Sequence, residues 1–199
     1  MTSASARPRY IHCLVVALLL GGCRSSPPVA PVPVVDLLRE MDGAEQRPPG
    51  AFRLTEYRRE GVSRPAIAAA VPSRLSVRLP LPRRGVLHAF VGLADAPAGS
   101  DPVGARLRVG VSDDRTYDAL GEVVLVPGAH GWTELRTDLS AYAGWKWSVF
   151  YRPERTVWRV VLAADAVATG PATVLWGEPE IETDTESARE YVARRQRMR

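Results

Sequence analysis

The side chains able to do chemistry are few, and their spacing matches no catalytic motif. Three histidines and two cysteines are present in 199 residues, too few for a disulfide-rich scaffold or a four-cysteine zinc site, and little material for a histidine-based metal centre. No nucleophile elbow occurs, because Gly110-Val111-Ser112 runs into Asp113 and Asp114 rather than into x-Gly. H-E-x-x-H, P-loop and G-x-G-x-x-G patterns are missing as well. His88 lies within an apolar run, the setting of a packed or edge residue, and His130 lies in a Gly-Ala-His-Gly turn. The pairs Glu134/Asp138 and Glu178/Glu180 carry no specific signal for glycosidase acid–base work. Ser112-Asp113-Asp114-Arg115 with Asp118 has the oxygens to hold calcium, but an Asp-rich turn is the preferred reading. The expectation is a protein that is not an enzyme, with no cofactor and no metal.

The tryptophans are the other group with chemical potential. Trp132, Trp145, Trp147, Trp158 and Trp176 all fall in the second half of the chain. Such rings fill the space between sheets, or, when exposed in a row, stack on sugar rings. Trp145 and Trp147 share a strand face with Tyr151 and fit either role, which makes these three the candidate ligand-binding residues.

Cys23 has a different context. Arg7 and Arg9 precede the apolar run Ile11–Leu20, which at about ten residues is half the ~20 needed to span a bilayer. A basic start, a short apolar stretch and small residues form a secretory signal peptide over residues 1–22. Leu20-Gly21-Gly22-Cys23 resembles the bacterial lipobox, in which the cysteine is acylated and becomes the new N-terminus. The resemblance implies a membrane partner through lipid on Cys23. Arg24 after it, rather than Asp, implies sorting to the outer membrane of a Gram-negative cell. Loss of Arg7 and Arg9 lowers the 26 cations to 24 against 22 acids, which is no electrostatic footprint for nucleic acid. Cys13 leaves too, so no free thiol survives for redox or nucleophilic chemistry.

The elements that must position these residues are short. Hydrophobic residues make up 46% and charged residues 24%, the balance of a folded domain, and 17 prolines favour strands and loops over long helices. Ser25–Pro33 is a proline-rich spacer, and Val34–Met41 has the apolar spacing of a short helix; together residues 23–51 form a lipidated tether. From 52 to 182 the period changes to two. Leu75/Val77/Leu79, the run Val86–Leu93, Leu107/Val109/Val111, Glu122–Val126, Trp132–Leu139, Trp145–Tyr151, Trp158/Val160/Leu162 and Val174–Ile181 read as strands separated by turn residues. This predicts an all-β fold, an antiparallel jelly-roll-like β-sandwich with short flanking helices. Residues 183–199 read as a helical tail: Thr183-x-x-Glu186 makes a capping box, and arginines gather at the end. The tail is either a solvated terminal helix or a segment that docks or leads onward.

Two motifs carry a family resemblance. Asp138-Leu139-Ser140-Ala141-Tyr142-Ala143-Gly144 and Trp176-Gly177-Glu178-Pro179-Glu180-Ile181 resemble the turn and closing strand of a jelly-roll module of bacterial extracytoplasmic proteins. That family includes carbohydrate-binding-like regions and segments preceding sulfatase domains in membrane-anchored hydrolases. The resemblance implies a non-catalytic binding or accessory module, with polysaccharide or a hydrolase as partner. The alternative is a structural or assembly lipoprotein that binds an envelope protein. The lipidation reading is checked by growth with labelled palmitate: wild type should carry label in the membrane fraction and Cys23→Ala should carry none. Label persisting in the variant overturns it.

Overall fold

The computed structural model describes residues 30–96, 98–143 and 157–197. Cys23 and the signal segment lie outside the described residues, as do Trp145, Trp147 and Tyr151. Eleven strands and one α-helix occur among the described residues: β1 Val32–Asp36, β2 Glu45–Arg47, β3 Phe52–Arg59, β4 Val62–Ala70, β5 Ser73–Leu79, β6 Val86–Leu93, β7 Ala105–Ser112, β8 Tyr117–Leu125, β9 Thr133–Asp138, β10 Trp158–Ala166, β11 Thr173–Thr183 and α1 Thr185–Arg197. They build two antiparallel sheets. The larger has the order β3-β4-β11-β6-β9 with β1 also on β11, and the smaller the order β2-β5-β10-β7-β8. From β5 to β11 nearly every connection crosses from one sheet to the other, so local period-two strands meet mainly through long-range pairing. The antiparallel sandwich read from the sequence is therefore present.

Alternation decides what is buried. In β7, Leu107, Val109 and Val111 point into the core while Arg106 and Arg108 point out; in β9, Leu135 and Thr137 are buried between exposed Glu134, Arg136 and Asp138. Trp176 is fully buried and Trp158 is 4% exposed, so both belong to the core cluster. The Asp-Leu-Ser motif acts structurally: Asp138 Oδ1 accepts a hydrogen bond from Ser140 N at 2.8 Å, Leu139 plugs the core, and Tyr142 packs edge-on to Trp158 with centroids 5.3 Å apart. These contacts hold the Asp138 carboxyl below the usual range, backbone hydrogen bonding to Ser140 being the main cause.

The sequence reading needs three corrections. The helix expected over 34–41 is instead strand β1, a turn, and a 3₁₀ segment at Met41–Gly43. β1 pairs with the last residues of β11, and its register slips between Pro33 and Val35; that irregularity spoils the alternation and mimics a helical pattern. The terminal helix is capped by Asp184 rather than by a Thr183 box, since Asp184 accepts from both the backbone N and the hydroxyl of Ser187 at 3.0 Å. Nor is that helix merely solvated. Ser187, Ala188 and Tyr191 are buried against the sandwich, Arg195 pairs with Glu40, and Arg194 donates to the Leu81 carbonyl.

β11 holds the larger sheet together. One edge pairs with β6 along most of its length; the other pairs first with β4 over 173–177 and then with β1 over 180–183. A bulge between Gly177 and Glu180, with Glu178 at φ 45°, marks the change of partner. Because Trp176 sits at this junction and is 0% exposed, Trp176→Ala should destabilise the fold by about 3–5 kcal/mol. Urea unfolding checks this, and a loss below about 1 kcal/mol contradicts the packing described.

Candidate binding cleft

The β3–β4 hairpin shapes one end of the sandwich. Its tip is held down by Arg59, only 6% exposed, whose Nε donates to Gly131 O at 3.0 Å and whose Nη2 donates to Ala129 O. A buried guanidinium is tolerable only when its donors are met, and here two carbonyls meet them. Gly92 makes room for that side chain, because a Cβ there would stand 2.9 Å from Arg59 Cδ. Trp132 adds a second tie, donating from Nε1 to Val62 O at 3.1 Å. Its ring lies over Gly177, where a Cβ would come within 3.0 Å of it.

Between this hairpin and the loops after β6, β8 and β10 lies a cleft of about 490 Å³. That is within the range of about 300–1,000 Å³ typical of small-molecule sites. Its polar side chains are Arg53, Tyr57, Arg59, Asp95, His130 and Thr173, and Pro102, Pro127 and Pro171 contribute to the walls. Tyr57 is fixed from both sides of its hydroxyl: it donates to Asp95 Oδ2 at 2.9 Å and accepts from Asp95 N at 2.8 Å. Burial is the first cause that raises the Tyr57 hydroxyl above its ordinary pKa, and bonding to the Asp95 carboxylate adds to it. Asp95 and Arg59 are thus engaged in holding the cleft. Arg53 and His130 are exposed in the cleft and have no ion-pair partner among the described residues.

A second depression, of about 510 Å³, lies on the outer face of the smaller sheet. Arg74 stacks 4.8 Å above the Tyr117 ring, Arg108 pairs with Asp165, and Arg47 pairs with Glu45. Its charges are largely matched within the protein. The acidic turn beside it is tied up in the same way: Asp113 Oδ1 accepts from the backbone of Arg115 and Thr116, while Asp114 bridges Arg78 and Arg159. Asp118 accepts from the Tyr142 hydroxyl at 2.9 Å. Each of these carboxylates has partners within the protein.

His88 stands on the outer face of β6 with only 13% of its side chain exposed. Glu134 from β9 and Glu180 and Glu182 from β11 surround it, and Arg136 pairs with Glu182 at 2.7 Å. Burial, then the neighbouring Glu182, raises the Glu180 carboxyl above the usual range. The sequence placed His88 as a packed or edge residue; the carboxylates around it are assembled by strand pairing and have no local signature.

No family model matches the chain, and no curated protein matches it. Among solved structures, the chain is similar to the CBM51-2 and INT domains of Clostridium perfringens ZmpB, at TM-score 0.47 and 12% identity over 69% of this chain and 29% of that one. It is similar to TmCBM61 in complex with β-1,4-galactotriose, at TM-score 0.47 and 11% identity over 75% of this chain and 97% of that one. A third likeness is to the CBM22-1–GH10 modules of Clostridium thermocellum xylanase 10B complexed with xylohexaose, at TM-score 0.41 and 14% identity over 79% and 29%. The chain thus spans less than a third of the ZmpB and xylanase chains.

The Tyr57–Asp95 anchor has a measurable consequence. Tyr57→Phe should lower stability by about 0.5–1.5 kcal/mol at neutral pH, the net worth of ordinary hydrogen bonds. A folded pKa raised above the unfolded value of about 10 means that this stabilisation is present below pH 10 and is lost as pH rises through the folded value. The gap between wild type and variant should therefore close in alkali. Equal unfolding midpoints at pH 7 overturn the anchoring role.

Proposed function

We propose that the chain is a lipid-anchored, extracytoplasmic, non-catalytic module that binds carbohydrate in the cleft framed by the β3–β4 hairpin. The observation that carries this reading is the cleft itself: a preformed space with an anchored tyrosine, and with Arg53 and His130 free to bond a ligand. Sugars present hydroxyls to planar polar side chains and a C–H face to aromatic rings, and these walls supply both kinds of contact. The non-catalytic reading is supported by Asp95, the only carboxylate lining the cleft among the described residues, whose oxygen is held by the Tyr57 hydroxyl rather than aimed at a base or nucleophile. Lipid on Cys23 would tether the module to the outer membrane through the proline-rich spacer, beside a sulfatase-like hydrolase as its working partner.

The test is a glycan-array screen of the mature chain, followed by calorimetry on the best glycan. Arg53→Ala and His130→Ala should each weaken binding at least about tenfold, near 1.4 kcal/mol. Both side chains are exposed, so neither change should unfold the domain. If affinity instead falls only in Trp145→Ala and Trp147→Ala, the site is elsewhere. If no glycan binds and one envelope protein is captured, the assembly reading replaces this one.

A further inference from the structure

We propose that His88, Glu180 and Glu182 form a binding site for a divalent transition-metal ion of the zinc class, on the outer face of the larger sheet and apart from the cleft. The pairing of β6 with β11 sets His88 directly across from Glu180, and Glu182 follows two residues later on the same face. His88 Nδ1 lies 3.2 Å from Glu182 Oε1 and 3.7 Å from Glu180 Oε1, and the three ligand atoms fall within 4.8 Å of one another. A tetrahedral ion with bonds of about 2.0–2.2 Å holds its ligand atoms about 3.4 Å apart, so little movement is needed to close the shell.

A second observation points the same way. Both ring nitrogens of His88 are buried, and neither makes a hydrogen bond. The carboxylates are near enough for ion pairs, at 3.1 to 3.7 Å, but lie out of line with the N–H directions. Buried polar atoms in folded proteins are nearly always bonded, and an imidazole nitrogen facing two carboxylates at once is met most directly by a cation. The ring is not free to turn away, since Phe90 packs edge-on against it at 4.9 Å with the Arg64 guanidinium 3.5 Å above the Phe90 ring.

The surroundings are those that metal sites use. On the far side of the ring, Glu134 Oε1 stands 3.1 Å from Nε2, close enough to accept its N–H once the ring aligns on an ion, which is the carboxylate–histidine–metal arrangement. Arg136 takes the other oxygen of Glu182 at 2.7 Å and leaves Oε1 turned toward His88. Charge fits too: three carboxylates gather here against one guanidinium, a surplus of negative charge that suits a dipositive ion. One nitrogen with carboxylate oxygens suits zinc and its neighbours, whereas calcium and magnesium prefer an all-oxygen shell. An ion here cross-links β6 to β11, so its binding raises thermal stability.

The experiment titrates chelator-stripped mature chain, without a histidine tag, with zinc chloride by calorimetry and thermal melting. One zinc per chain and a raised melting temperature are expected, with no response to calcium or magnesium. His88→Gln and Glu180→Gln should each abolish saturable binding, and Glu134→Gln should weaken it about 10–100-fold by removing the carboxylate that orients the His88 ring. Glu180 is half-buried, so its variant tests the site even if the His88 change impairs folding. His130→Ala, in the cleft, should bind zinc as wild type does. No saturable zinc binding by wild type, or binding unchanged in folded Glu180→Gln, overturns the proposal.

Discussion

The structure depends most on the divided pairing of β11. A strand in the middle of a sheet ordinarily has one partner on each edge; this one has β4 and β1 in succession on the same edge, with β6 opposite. The change of partner is possible only because the strand bulges between Gly177 and Glu180 and places Glu178 at positive φ. Ahead of the bulge, Trp176 fills the core and Thr173 reaches the cleft. Beyond it, Ile181 returns to the core while Glu180 and Glu182 face His88. One irregular strand therefore separates the two chemically distinct places on the larger sheet.

Small residues make this economy possible. Gly92 and Gly177 lie on the outer surface of the larger sheet, and side chains rest on both: Arg59 on the first and the Trp132 ring on the second. Any Cβ at Gly92 would displace the guanidinium that pins the hairpin to residues 129–131, and the cleft would lose one wall. A cleft already held in shape reduces the ordering cost of binding, which suits the proposed role.

How much of this was legible in the sequence differs from element to element. The run Val86–Leu93 and the alternation of Leu107, Val109 and Val111 report their strands directly, because each has one apolar face and no irregularity at the core positions. β1 was hidden because the apolar residues at 34, 35, 37, 38 and 41, which span the end of the bulged strand, a turn and a 3₁₀ segment, have helical spacing. β3 and β4 carry charge and alanine where core strands carry branched side chains: β3 is an edge strand, and the small residues 66–69 of β4 are buried on both faces. The cleft residues come from separate segments, so no local spacing announces them. Counting histidines is blind to strand pairing, which gathers three carboxylates around His88. The tryptophan pair and Tyr151 proposed for sugar binding lie outside the described residues.

If the bulge in β11 does divide the sheet into two independent sites, amide chemical shifts will show it. Nitrogen-15-labelled mature chain is titrated first with the glycan selected on the array and then with zinc chloride. The account predicts that the glycan shifts amides near 53–59, 94–96 and 127–131 and leaves 86–90 and 180–183 in place, with zinc doing the reverse. Shifts from both ligands converging on one set of residues, or a glycan response confined to 145–151, would contradict it.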